Sequence, residues 1–367
     1  MKTSMLTFIL TENCNFKCSY CYQNHTERNL ETLEIKKCLD FFFPRLEREC
    51  HFNFYGGEPL LRFQQIEEIV SWIKTRNKKS KNEISFGIST NGSLINDKVL
   101  KFLNSHQFTV LLSFDGLAQD QGRTKESLAP TIRVLKKLQD LKNINLQVNS
   151  VFSPRTIGLL ADSIRFIQDL GVKNHDFSLA FNEEWDSKAL RIYKNQLRML
   201  RKDLIDRYWG THEIPLSSYR KHTGWGIFSC AAGKDRFVLG PDTKLWGCHL
   251  FANHFQDQET GREFNRYCFG TLDDFIRNHG KIYEPTRKNH SILSQEQFFT
   301  DRKDCVFCPY LKDCQICPVA AANFGSINGK IPSWLCESQR IIIDEKRIFW
   351  KETENNSLSR EKTDLMM

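Results

Sequence analysis

No apolar run in this chain approaches the roughly 20 residues that a membrane-spanning helix requires, and no secretory signal opens it. Met1-Lys2-Thr3-Ser4 leads into a short apolar run at residues 5–10, too brief for an h-region and cleavage site. Export and membrane insertion are therefore not expected, and a cytoplasmic location is. No nucleic-acid-binding motif accompanies the formal net charge of +8. Intrinsic disorder is excluded as well: of 367 residues 40% are hydrophobic and 26% charged, enough for two domains or one barrel with an appendage. What the chain has in abundance is cysteine. Thirteen cysteines without an export signal argue against a disulfide framework and for metal binding in a reducing compartment.

Three of these thiols stand in Cys14-Asn-Phe-Lys-Cys18-Ser-Tyr-Cys21, just after the first apolar run. That spacing lets three thiolates converge from one short loop. A four-iron cluster is usually held by four thiolates, so three leave one iron open to a small molecule. For the triplet alone, a zinc knuckle or a set of packed thiols is the plainer alternative. Further on comes Phe54-Tyr55-Gly56-Gly57-Glu58-Pro59, at the end of another apolar run. Two glycines let backbone approach a ligand closely, and a carboxylate can pair with an ammonium group. A Gly-Gly pair by itself is more often only a turn.

Apolar runs at 5–10, 52–55, 84–89, 109–114, 144–152 and 177–181 read as strands, and the stretches between them carry helical spacing. Ile35, Cys38, Leu39 and Phe42 share one helix face; Phe63, Ile66, Val70 and Ile73 share another. Further helices are expected near 95–106, 127–141 and 156–170, with a bridging helix at 186–209. Alternating strands and helices imply parallel β/α units with right-handed crossovers. Cys38 and Cys50 read as packed thiols. Lys188, Arg191, Lys194, Arg198, Arg201 and Lys202 make a basic stretch, which is either a solvated face or a surface for an acidic peptide.

The triplet and the Gly-Gly-Glu-Pro segment, in this order, resemble the radical S-adenosylmethionine (radical SAM) superfamily. That resemblance implies an open, partial (β/α)6 barrel in an α/β fold, with Cys14, Cys18 and Cys21 holding the SAM cluster. It places Tyr20 beside the adenine, and Gly56, Gly57 and Glu58 at the methionine ammonium. It brings Asn91 and Ser113 to the SAM pocket, Arg123 to the SAM carboxylate, and Asn149 to the same pocket. Asn91-Gly92 and Asp115-Gly116 also read as plain turns. The implied activity is reductive SAM cleavage to a 5′-deoxyadenosyl radical that abstracts a hydrogen, with flavodoxin or ferredoxin as reductant.

Past the bridging helix come Cys230, a hairpin-like stretch at 237–246, Cys248, then Cys305-x2-Cys308-x5-Cys314-x2-Cys317 and Cys336. Zinc ribbons separate their paired cysteines by more than this five-residue gap. The order resembles the SPASM extension of radical SAM peptide-modifying enzymes, which implies two auxiliary [4Fe–4S] clusters. By position, Cys305, Cys308, Cys314 and Cys336 would hold one, and Cys230, Cys248 and Cys317 the other. Cys268 is either a further ligand of that second cluster or a spare thiol. The expected division is a barrel over 1–183, a helical bridge over 184–224, the extension over 225–345 and a polar tail over 346–367. Only thirteen residues precede Cys14, so no leader-peptide-binding domain is expected there; a separate protein, or the barrel with its bridge, would take that task.

The resemblance implies maturation of a ribosomally made peptide, through a thioether or carbon–carbon cross-link. Anaerobic sulfatase maturases share the length and both cysteine regions. They carry an acidic residue after the second extension cysteine, where this chain has His249, a candidate base or a hydrogen-bonding neighbour of a cluster. A non-catalytic iron–sulfur scaffold is the third reading.

Overall fold

Buried alternation builds the strands of this chain, and three-to-four spacing its helices. The computed structural model describes residues 1–208, 213–221, 231–255, 267–290, 303–317 and 331–364. In chain order the strands are β1 (Thr3–Ile9), β2 (Leu46–Tyr55), β3 (Glu83–Thr90), β4 (Thr109–Ser113), β5 (Asn145–Phe152), β6 (His175–Leu179), β7 (Arg236–Leu239) and β8 (Leu245–Trp246). The helices are α1 (Thr32–Phe42), α2 (Phe63–Ser80), α3 (Asp97–Ser105), α4 (Gln119–Gly122), α5 (Leu128–Gln139), α6 (Leu160–Asp169), α7 (Ser187–Tyr208), α8 (His249–Phe255), α9 (Leu272–His290), α10 (Lys303–Val306) and α11 (Ser333–Asp364). A helix follows each of the first six strands, as the periodicity predicts. Among the described residues, no helix is long and apolar enough to cross a membrane.

The chain divides into two compact units that interleave along the sequence, so neither ends at residue 183. The first holds Met1–Ser113, Ala129–Leu146 and Cys230–Phe298; the second holds Phe114–Leu128, Gln147–Ser229 and Phe299–Met367. In the first unit, β1 pairs in parallel with β2 and with β7, β2 with β3, and β3 with β4, while β7 and β8 are antiparallel. Phe8, Phe42, Phe52, Phe54, Phe108 and Phe237 are fully buried between sheet and helices. Pairs such as Phe54–Phe108, stacked at 22°, each add about 0.5–1.5 kcal/mol beyond the area they bury. Register sets Ile9 opposite Tyr55 and Phe54 opposite Ile88. The loops after β1, β2 and β3 therefore leave the same, carboxyl edge of the sheet, where such folds build their sites.

β2 begins six residues before the apolar run that announces it in the sequence. Glu47, Arg48 and Glu49 face outward there, and Arg48 pairs with Glu83 of β3 at 2.7 Å. With three charged residues in a row between buried Leu46 and Cys50, the start of the strand carries no apolar run.

In the second unit, β5 and β6 pair in parallel, from Val148 opposite His175 to Phe152 opposite Leu179. Its core joins Phe152, Ile164, Tyr193, Leu197, Leu200, Leu204, Trp334 and Phe349. The residues expected as a polar tail from 346 continue α11 instead. Ile343 and Phe349 are buried, and Arg201 of α7 bonds Glu345 at 2.9 Å and Glu352 at 2.6 Å. A few buried apolar side chains, Ile343 and Phe349 among them, anchor an otherwise polar stretch.

Candidate active site

The first-unit site starts from the loop after β1. The Leu30 N–H donates to the Leu10 carbonyl at 2.9 Å and the Glu12 N–H to the Arg28 carbonyl at 3.0 Å, so the loop is tied at its base. The buried Glu12 carboxylate accepts the Arg28 Nε–H at 2.8 Å and the Thr26 hydroxyl. Within this closed loop Cys14, Cys18 and Cys21 are half-buried and free of disulfides. Burial, with Glu58, Cys18 and Cys21 nearby, pushes the Cys14 thiol up to about 11 against a bond from the Phe16 N–H. His25 Nε2 lies 3.3 Å from Cys21 Sγ.

Gly56 and Gly57 fit this loop, and the reason is tighter than ligand access alone. A Cβ on Gly57 would stand 2.3 Å from the Asn13 carbonyl oxygen, and one on Gly56 2.4 Å from that of Thr11. Gly56 also has φ +151°, a conformation side chains resist. With no Cβ in the way, the Gly57 N–H reaches the Thr11 carbonyl at 2.8 Å and the Glu58 N–H reaches that of Asn13 at 2.9 Å. The turn after β2 is thus bolted onto the cysteine loop.

Glu58 has no exposed surface. Its carboxylate accepts from Leu60 N–H (3.1 Å), the Thr90 hydroxyl (2.7 Å) and Asn91 N–H (2.8 Å). Burial raises its carboxyl to about 7, while those bonds from Asn91, Thr90 and Leu60 pull it back. These bonds fix the end of β3 against the turn after β2. Asn91 in turn closes a ring of polar bonds. Its Nδ2 donates to Asn15 Oδ1 at 3.0 Å, Asn15 Nδ2 donates to Ser93 Oγ at 2.8 Å, and Ser93 Oγ donates to Asn91 Oδ1 at 2.7 Å. Asn91 Nδ2 also lies 3.9 Å from Cys14 Sγ. Tyr20 is buried in the same unit, and Ser113, half-buried, ends β4. Asn15, Ser93, Glu12 and Arg28 escaped sequence reading because single polar residues in loops carry no periodicity.

A second feature not legible in the sequence is a pair of tyrosines. Tyr22 and Tyr55 share a hydroxyl–hydroxyl bond of 2.6 Å. The His249 ring packs on Tyr55 with centroids 4.5 Å apart. Burial pushes Tyr55 up to about 12, with Cys21 and Cys248 both near enough to add to it. Burial also holds the His249 imidazole down at about 4, so it is neutral. Cys248, Cys21, Tyr22, Tyr55 and His249 therefore share one region of the first unit. Cys268, buried there too, accepts the Gly270 N–H at 3.3 Å.

In the second unit, Arg123 is gripped by buried Asp115 at 2.9 Å, and the same Asp115 oxygen accepts the Val151 N–H at 2.9 Å. Asn149 on β5 accepts the Phe114 N–H at 3.1 Å through its carbonyl. Cys305, Cys308, Cys314, Cys317 and Cys336 are half-buried, and none is in a disulfide. Burial raises the Cys314 thiol to about 11, with Cys336, Cys305 and Cys308 adding to it, so those four share one neighbourhood. Cys230 lies outside the described residues. Among the described residues, no three His, Cys, Asp or Glu side chains are placed to hold one metal ion. A four-iron cube instead binds each thiolate at its own iron, so its ligands stand farther apart. Three thiols in one loop, and four that gather from residues 305–314 and the start of α11, none in a disulfide, fit that group.

The fold is of the α/β class, and its cysteines cluster in loops in a way that suits iron–sulfur chemistry. A family model described as the Radical SAM superfamily matches residues 8–167. A cysteine-type anaerobic sulfatase-maturating enzyme of Clostridium perfringens is 31% identical over 345 residues, 85% of this chain and 87% of that protein. The chain belongs to the radical SAM superfamily. It is also similar to the radical SAM cyclopropyl synthase TigE of Paramaledivibacter caminithermalis, 26% identical over 68% of this chain and 58% of that enzyme. The chain spans about 60% of the length of the curated relatives it matches over shorter stretches. A solved structure of native anSMEcpe with bound AdoMet and a peptide shares the fold, with TM-score 0.76 and 16% identity over 97% of this chain and 99% of that one.

Proposed function

We propose that this chain is a radical SAM peptide maturase, which takes a hydrogen from a ribosomally made peptide and leaves a thioether or carbon–carbon cross-link. Cys14, Cys18 and Cys21 would hold the SAM cluster; Cys305, Cys308, Cys314 and Cys336 one auxiliary cluster; and Cys230, Cys248 and Cys317 another. When bound, SAM and its cluster supply reductive carbon–sulfur cleavage and hydrogen-atom abstraction. The chain's own residues shape the place for it. Gly56 and Gly57 lock the cysteine loop, Glu58 and Asn91 tie β3 to that loop, and Tyr20 provides an aromatic wall. Arg123, oriented by Asp115, is the cation assigned to the SAM carboxylate. A precursor peptide or protein is the substrate, flavodoxin or ferredoxin the electron donor, and the reducing cytoplasm the setting. A separate leader-binding protein is a further partner.

His249 carries the choice of reaction. Sulfatase maturation, favoured by the similarity over nearly the full chain, calls for an acidic residue after Cys248; a neutral imidazole packed on Tyr55 stands there instead. The test is anaerobic reconstitution with reductant, SAM and candidate peptides from neighbouring reading frames, beside a sulfatase-derived cysteine peptide. A peptide that loses two hydrogens without gaining an aldehyde supports maturation by cross-linking. Formylglycine in the sulfatase peptide selects the other reaction. Undiminished 5′-deoxyadenosine from a variant with Cys14, Cys18 and Cys21 all changed to Ala would sink both.

A further inference from the structure

α7 has two unlike faces. Ala189, Leu190, Tyr193, Leu197, Leu200 and Leu204 are buried in the second unit. Lys188, Arg191, Lys194, Arg198 and Lys202 are exposed on the other side. Their three-to-four spacing makes one stripe roughly 20 Å long. Among the described residues, the α7 side chains in ion pairs are Arg198, Arg201, Asp203 and Arg207. Lys188, Arg191, Lys194 and Lys202 are not among them. Beside the stripe Met199 is 43% exposed.

At its amino-terminal end the stripe runs into a groove of about 990 Å³ in the same unit. Trp185, Ile192, Pro332 and Trp334 give it an apolar lining. Its charged residues are Arg155 and Lys188 against Glu184 and Asp186. Asp186 accepts the Ala189 N–H at 2.7 Å, capping α7, so its charge is met by the helix start. Trp185 and Trp334 are stacked on each other at 24° and only 3% and 8% exposed, which leaves no open ring face for a nucleobase. One exposed methionine is also far less than the apolar stripe a bilayer surface needs.

We propose that the outward face of α7 and the groove at its start dock an acidic segment of the peptide substrate, one that carries an apolar side chain for the groove. This rests on the peptide-maturase reading. The stripe supplies charge attraction and orientation, and the groove supplies burial. None of the stripe residues is assigned to SAM or to a cluster, so the surface selects and holds a substrate and takes no part in the reaction itself.

The experiment is fluorescence anisotropy on the full-length reconstituted protein, with a labelled Glu-rich peptide bearing one leucine. Peptides with lysine in place of glutamate, or serine in place of leucine, are the controls. The acidic peptide should bind, bind more weakly as salt rises, and lose at least tenfold in affinity with Lys188→Glu, Arg191→Glu and Lys202→Glu combined. Reversing Lys74, Lys78 and Lys79 to Glu should leave affinity unchanged. Unchanged iron content and melting temperature show that each variant is folded. Equal binding of acidic and basic peptides, an α7 variant that binds like the parent, or displacement of the peptide by single-stranded oligonucleotide or anionic vesicles at lower concentration would overturn the proposal. Because anisotropy needs no turnover, a parent that binds the acidic peptide but cleaves no SAM rejects the maturase reading and keeps the docking surface.

Discussion

Glu58 accepts three hydrogen bonds and holds the end of β3 against the turn after β2. With both carboxylate oxygens accepting from Leu60, Thr90 and Asn91, a glutamine would turn one acceptor into a donor facing the Asn91 N–H or its neighbours. Leaving such a buried donor unmatched costs about 1–3 kcal/mol. Glu58→Gln should therefore lower unfolding free energy in urea by about that much, and weaken SAM binding about tenfold by calorimetry because Asn91 loses its anchor. A variant as stable as the parent would show that these three bonds do not hold the turn in place. His175 gives a residue-scale pH prediction. It is buried, bonded to Ser150 at 2.8 Å, and held down at about 3 by burial. The unfolded chain takes up that proton near pH 6.5 and the folded one does not. Stability from this group is thus full above about 6.5 and falls with pH towards 3, by about 1.4 kcal/mol per unit. Urea melts at pH 7.5 and 5 should show this loss in the parent, and less of it in His175→Gln.

At the scale of elements, the contact between the turn after β2 and the cysteine loop is the most exacting in the first unit. Gly57→Ala puts a methyl carbon 2.3 Å from the Asn13 oxygen, a backbone atom that cannot swing aside. The loop must shift, taking Cys14 with it. Purified Gly57→Ala should lose about one cluster's worth of iron, roughly four atoms, while the extension keeps its share. Full iron content would show that the loop tolerates the shift. Elements also mark where periodicity misleads. β2 starts at Leu46 on charged residues because only one face is buried, and α11 runs on through polar sequence because Ile343 and Phe349 anchor it.

For the whole molecule, the cysteines proposed as ligands are spread over both units: Cys14, Cys18, Cys21 and Cys248 in the first, Cys305, Cys308, Cys314, Cys317 and Cys336 in the second. Anaerobic reconstitution should give about twelve irons per chain, and the variant with Cys14, Cys18 and Cys21 changed to Ala about eight. Because metal binding is coupled to folding, loss of Cys305 and Cys308 should also lower the melting temperature. A parent that saturates at eight irons would mean that the Cys230, Cys248 and Cys317 set holds no cluster. The formal +8 counts thiols as neutral; a cluster with four thiolates carries about −2 and one with three about −1, so a chain loaded with the three proposed clusters is less basic than its sequence.

The order of β/α units, the three-thiol loop and the Gly-Gly-Glu-Pro turn were legible in the sequence because each is a local signal: a hydrophobic period, or a spacing within a few residues. Tertiary structure alone decided that the two glycines serve contact with Thr11 and Asn13, that Glu58 binds backbone, and that Asp115 grips Arg123. It alone set Tyr22 against Tyr55, and His249 against Tyr55. Such pairs depend on strand register and on how loops leave a common sheet edge, and no pattern of neighbours along the chain encodes either.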